Sequence, residues 1–350
     1  MYRGREDTRP AIPLAAIPVG FPTVLCSMLR MVLRHAADRR TIAWAAAMPV
    51  VALAPYAWRP LATWLWPLAA YLALAAGVIA HNHNHCPTFR NRRLNAWFGQ
   101  WLSIFYGYPT FAWIPTHNLN HHKYVNRLGD ATITWRYTNA HHLPMVIAYP
   151  FISSVFQATP TNEYIRKARA TRPELFWDIV RQYVFFVGVH VALVAVAVAL
   201  YGWGAGLRLW LLMFLVPAVF ALWTIMFFNY VQHVHTDPWS EHDHSRSFTG
   251  RSLNFLLFNN GLHTVHHETP GAHWSTLPAL HARVASQIHP ELVQSSFWTW
   301  CAKSYLLAPL FPSQGTRQIG RAPFDDPTLV DGLVTASVEA QEAGVNAPRV

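Results

Sequence analysis

Imidazoles arrive at three stops along this chain: His81-Asn-His83-Asn-His85, His117-Asn-Leu-Asn-His121-His122 and His263-Thr-Val-His266-His267. Neutral imidazole is the commonest side-chain ligand for iron, copper and zinc. Residues three or four apart share one face of a helix. That spacing predicts that His81 and His85 point at one centre, as do His117 with His121, and His263 with His266 and His267. With His122, which doubles the end of the second group, these eight imidazoles exceed the three or four protein ligands of a single zinc, which implies two metals. A tag-like origin is excluded, because the 20 histidines fall in patterned groups separated by apolar or mixed sequence.

The elements that position these residues read as membrane helices. Of 350 residues, 52% are apolar and only 13% charged, with 16 Trp and 20 Phe, a profile of bilayer spans and interfacial aromatics. Four uncharged or nearly uncharged runs are long enough to cross: 41–58, 61–80, 175–201 and 207–230. The second ends directly on His81, and the fourth on Asn229-Tyr-Val-Gln-His233. Segments 97–115 and 143–157 are apolar but broken or short, and read as interfacial or re-entrant. Residues 166–172 read as a basic connector, 253–262 as a short apolar helix into the third His group, and 293–312 as an amphipathic, aromatic stretch lying on the membrane. Residues 1–40 form an N-terminal interfacial segment with a Pro- and Gly-interrupted apolar patch at 12–31. Residues 41–312 form the main domain, and 313–350 a polar, poorly ordered tail.

Nearly all of the 27 Lys and Arg fall outside the two short hairpin turns. By the positive-inside rule both termini and every His group are then cytoplasmic, so the expected architecture is an all-α integral membrane protein of four spans carrying a cytoplasmic His-rich di-metal cap, placed in a bacterial inner membrane. That placement, rather than nucleic acid, accounts for the net charge of +10. Three dispersed cysteines imply neither a disulfide framework nor an iron–sulfur site. No signal peptide is expected after the charged N-terminus.

Two metals held by imidazoles just above a bilayer suit oxygen chemistry on a long apolar substrate, since breaking an unactivated C–H bond is beyond any side-chain acid or base. A zinc-protease helix is excluded: the second His of an H-E-x-x-H motif is missing after His267-Glu268, and Pro270 would break the helix. The three boxes, in their order and with their preceding span pairs, resemble those of the membrane fatty acid desaturase superfamily, from about residue 40 to about residue 290. Asn229-Tyr-Val-Gln-His233 resembles the Asn-x-x-x-His element at the end of the last span of its acyl-CoA desaturases.

The resemblance implies a non-haem di-iron centre, with dioxygen as co-substrate, held by His81, His85, His117, His121, His122, His233, His263, His266 and His267, with Asn229 acting through a water. It also implies oxygen-dependent desaturation of a fatty acyl chain or membrane lipid. Hydroxylation, or oxidative decarboxylation of free fatty acids to terminal alkenes, is the alternative outcome of the same site. With no redox domain fused, a separate electron donor resembling ferredoxin, rubredoxin or a b-type cytochrome is expected. A metal-transport protein is the rival of a different class. It would place ligands midway through the spans, where only His190 lies. Whether His83 and His235 join the ligands is open. His141, His142, His242 and His244 read as non-ligands, and His35, His281 and His289 as surface residues. His273-Trp274 and the aromatic runs 97–113 and 223–230 are read either as substrate lining or as packing.

Overall fold

The computed structural model describes residues 31–325; the expected apolar patch at 12–31, save Met31, and the end of the tail lie outside them. The described chain is mostly helical, with one parallel bridge between β1 (Ser247–Phe248) and β2 (Val293–Gln294). Helix α1 (Asp38–Ala57) folds back against α2 (Ala62–His85). Helix α3 (Arg92–Tyr106) leads through a tight turn into a π-helical segment, Ile114–His121. Two 29-residue helices, α4 (Leu143–Thr171) and α5 (Pro173–Tyr201), are followed by the long helix α6 (Trp203–His233). The cap is completed by short helices, among them α7 (Arg251–Leu256) and α8 (His263–Glu268).

Among the described residues, three helices have the length and apolar composition to cross a membrane: Arg59–His85, Pro173–Tyr201 and Trp203–His233. The run expected as the first span lies in α1. That helix opens on Asp38, Arg39 and Arg40, contains Pro49 and Pro55, and is alanine-rich, so it is less apolar than the other three. The apolar stretch of helix α5 is only 6% buried; Val184, Val187 and Val191 are all exposed. In water such a surface would be a liability, whereas against lipid it costs nothing.

The core lies where α2 packs along the second half of α6, its largest helix–helix interface. Small residues make this possible. A Cβ on Gly77 would sit 2.4 Å from Ile225 and 2.6 Å from Tyr106, so α2, α3 and α6 meet at a point only glycine allows. Gly107 ends α3 at φ +86°, where a side chain is strained; its missing Cβ would strike Ala218. Both α2 and α6 end at the cap, and each ends on a histidine of the cluster.

Several expected boundaries shift. The short apolar piece 143–157 and the connector 166–172 are one helix, α4, because Pro150 and Pro160 are accommodated within it. Residues 253–262 are not one helix: α7 stops at Leu256, and Phe258 and Asn259 take positive φ before α8 begins. The start of the expected disordered tail is packed on the cap. Ile319 N–H donates to the His235 carbonyl, Gln318 donates to the Thr236 carbonyl, and Arg317 pairs with Glu291.

Candidate metal centre

Box one occupies the last turn of α2. His81 and His85, four apart, project to the same side, with ring centroids 4.9 Å apart. Box two sits on the π-helical segment, where the His122 N–H reaches back five residues to the His117 carbonyl. The wider turn changes which residues share a face. His117 meets His122, their Nε2 atoms 3.0 Å apart, while His121 turns away to meet His233 at 3.1 Å. The expected pairing of His117 with His121 at one centre is therefore corrected. Box three is also divided: on α8, His263 and His267 stay together, Nε2 to Nε2 3.1 Å, and His266 joins the other side.

Two groups result. His81, His85, His117, His122 and His266 form one; His121, His233, His263 and His267 form the other. Within each, the ligand-capable atoms lie within 4.8 Å of one another. The two abut, with the rings of His122 and His267 4.5 Å apart.

The donor set fits a pair of imidazole-binding metals. Two nitrogens about 2.1 Å from one ion sit about 3.0 Å apart when they subtend a right angle, and about 3.4 Å apart at the tetrahedral angle. The observed Nε2 separations are 3.0 Å for His81–His266, 3.1 Å for His122–His266 and 2.9 Å for His233–His263. His121 and His233 turn Nδ1 to the Asp130 carboxylate and the His244 carbonyl, so without an ion their Nε2 lone pairs would face each other at 3.1 Å in a buried space. Burial holds His117, His263, His266 and His267 well below the ordinary histidine pKa, with the neighbouring imidazoles adding to the effect. The same causes bring His122 to about 2. Neutral rings are the metal-binding form.

Outer contacts aim these rings. The carboxylate of Asp130, fully buried, lies 2.8 Å from Nδ1 of His121. Burial pushes Asp130 up, but the electrostatic influence of the His121 ring and hydrogen bonds from His121, Thr132 and the Asn126 amide outweigh it and hold the acid at about 2. The His233 Nδ1 faces the carbonyl of His244 at 3.1 Å. The side-chain amide of Asn260 lies 3.1 Å from Nδ1 of His81. Contacts of this kind fix ring orientation and tautomer. Asp130 and Asn260 were not singled out from sequence; the one mark of Asp130 is a lone carboxylate nine residues beyond His121.

A family model described as fatty acid desaturase matches residues 57–298. The chain belongs to the fatty acid desaturase family. No curated protein and no solved structure matches it.

Other histidines of this desaturase-family chain are committed elsewhere. His83 lies 3.0 Å from the Thr88 hydroxyl and 3.1 Å from the Asn95 carbonyl, and His235 is held between Thr316 and the Asn139 carbonyl; neither belongs to the groups. His142 caps α4, His141 packs on Tyr230, and His190 accepts from the Trp210 indole. His242 lies 2.8 Å from Glu268. His244, expected in a solvated loop, is buried beside His267. His281, expected on the surface, is buried too, and half-buried His35 stacks on His273 at 4.0 Å. His273 and Trp274 both approach Asp38, which makes them a packing contact with the start of α1. Asn229 donates to the Tyr149 hydroxyl at 2.7 Å, and Tyr149 donates to the Thr132 carbonyl.

A cavity of about 430 Å³ opens off the imidazoles, a size that suits a small organic ligand. His81, His117, His121 and His263 line it, together with Leu74 and Val78 of α2 and Leu222, Ile225 and Met226 of α6, and Tyr106, Trp113 and Phe228 contribute aromatic wall. The aromatic runs therefore line the cavity in part.

Proposed function

We propose that this desaturase-family protein removes two hydrogens from neighbouring methylenes of a fatty acyl chain, using dioxygen at a non-haem di-iron centre. The observation that carries the reading is the pair of abutting imidazole groups opening onto an apolar cavity. His81, His85, His117, His122 and His266 hold one iron, and His121, His233, His263 and His267 the other, with Asn229 reaching the metals through a water. Iron bound there supplies, with dioxygen and electrons, the oxidising power to break an unactivated C–H bond.

The chain's own residues do the rest. Leu74, Val78, Leu222, Ile225 and Met226 pack an alkyl chain beside the imidazoles and keep water out. Asp130 and the His244 carbonyl hold the rings at their angle. Helix α1 is the fourth crossing, and the cap faces the cytoplasm of a bacterial inner membrane, consistent with the bias of Lys and Arg. Exposed Arg90, Arg92, Arg93 and Lys123 follow boxes one and two directly and suit docking of an acidic electron donor of the ferredoxin, rubredoxin or cytochrome kind.

The test is product analysis. The protein is expressed in a bacterial host with a redox partner and fed isotope-labelled fatty acids, and lipids, free acids and volatiles are analysed by mass spectrometry. Product of unchanged carbon number, lighter by two hydrogens, is expected. A hydroxylated chain, or a volatile alkene one carbon shorter, overturns desaturation while keeping the metal site.

A further inference from the structure

The last turn of α6 is gripped from outside by a buried cation. Nη1 of Arg246 donates to the carbonyls of Val231 at 2.7 Å and Val234 at 3.2 Å, and the Arg246 amide donates to the Gln232 carbonyl at 2.6 Å. His233 stands among these attachment points. The same segment supplies the His244 carbonyl that faces Nδ1 of His233 at 3.1 Å. The Thr236 hydroxyl lies 2.9 Å from the His233 carbonyl oxygen and 3.1 Å from that of His244. Arg246 therefore fixes both the helix end that carries the ring and the backbone that sets its tautomer.

A neutral amide could make carbonyl bonds of this kind; a guanidinium adds a charge. Arg246 is 1% exposed. Burial lowers its pKa only to about 10, so it stays charged at neutral pH. Its Nε is buried with no hydrogen-bond partner, and the ring of buried Trp300 lies 4.9 Å from the guanidinium carbon. Among the described residues no carboxylate pairs with it: Glu291, which acts on it electrostatically, is exposed and pairs with Arg317. A fully buried arginine without an acid is rare, because the lost hydration of the charge is not made good. The carbonyls at the C-terminus of α6 offset part of that cost. The remaining positive field falls on the ring of His233 and on the ion that this ring binds.

We propose that Arg246 is a positioning residue for the four-residue imidazole group, and that its uncompensated charge favours the ferrous over the ferric state of the iron held there. A fixed cation opposes the gain of positive charge that accompanies oxidation of a neighbouring ion. The carboxylate of Asp130, on the other side of the group at His121, acts with the opposite sign. The proposal rests on the reading of the imidazole groups as an iron pair and is independent of the product that the pair forms.

The test uses the iron-loaded, detergent-solubilised full chain, poised with mediators at a series of solution potentials. The ferrous and ferric fractions of each iron are read by Mössbauer spectroscopy, and iron retention by competition with a chelator. In R246Q the ferrous-to-ferric ratio of one iron at a fixed potential is expected to fall roughly tenfold, the order that one charge imposes at an effective dielectric constant of about 20, and that iron is expected to leave sooner. T236V removes the hydroxyl beside the same carbonyls but no charge, and is expected to loosen that iron at the parental ratio. R246K keeps a cation but not the fork; it is expected to do the same, and it decides the matter if R246Q does not fold. A parental ratio in iron-loaded R246Q overturns the proposal. So does a shift in T236V as large as that in R246Q, which makes ring geometry the sole cause, or parental iron retention in R246K. A parent chain that takes up no iron removes the iron reading and this proposal together, whereas a parental ratio in R246Q leaves the iron reading standing.

Discussion

The two imidazole groups differ in how they are held. The four-residue group has buried His121, His233 and His263, with His121 braced by the carboxylate of Asp130 and His233 by a backbone carbonyl. The five-residue group has two half-buried members, His85 and His122, with His117 at the edge of burial, and its clear outer contact among the described residues is the neutral amide of Asn260 on His81. One group is locked from behind by charge, while the other relies on the number of its rings. An ordering of metal affinities follows: the four-residue group holds its ion through orientation, and the five-residue group through redundancy.

The largest effects come from removing a ligand. H263A is expected to abolish turnover and reduce bound iron from two per chain to one, because the four-residue group has no spare ring. H266A is expected to abolish turnover as well, since the Nε2 of His266 touches those of His81, His117 and His122. Iron analysis with an activity assay checks both, and wild-type turnover in either sinks the assignment. H83A, by contrast, leaves iron content at two.

Next comes the brace. D130N leaves every ligand in place but weakens the partner of His121, and is expected to cost roughly 10- to 100-fold in metal affinity or activity. Competition with a chelator should show one of the two ions loosening; equal loosening of both would erase the contrast between the groups. A smaller change is expected from N260A, roughly 2- to 10-fold, confined to the five-residue group.

The mildest probe is acid. His122 has its pKa depressed by burial from 6.5 to about 2. A histidine lowered in the folded protein contributes stability that is complete above pH 6.5 and is lost as pH falls below it, because unfolded chain takes up the proton first. Metal retention follows the same direction. On acidification below pH 6.5 the half-buried five-residue group is expected to release its ion before the braced one, as read by iron content after stepwise titration. Release in the opposite order breaks the comparison.

The spacing of His81 and His85 at the end of an apolar run, and of His233 at the end of another, was enough to predict that two helices deliver ligands to one place. Helical periodicity is local, and α2 and α6 are long and regular enough to obey it. The partition within box two was not legible, because it depends on a π-helical turn that joins His117 to His122 across five residues. Nothing in Ile-Pro-Thr-His117-Asn-Leu-Asn-His121 announces that winding. Asp130 was hidden for a related reason: a carboxylate's role depends on which ring the folded chain brings within 2.8 Å of it.

Residue type and spacing by themselves determined that this chain gathers imidazoles beside apolar helices, since ligand chemistry and hydrophobic run length are written residue by residue. Tertiary structure alone decided how the rings divide between two centres, which of them are braced, and that a largely apolar cavity opens beside them. Those properties arise where α2, α4, α6 and the π-helical segment meet, and a contact between distant segments leaves no local mark in the sequence.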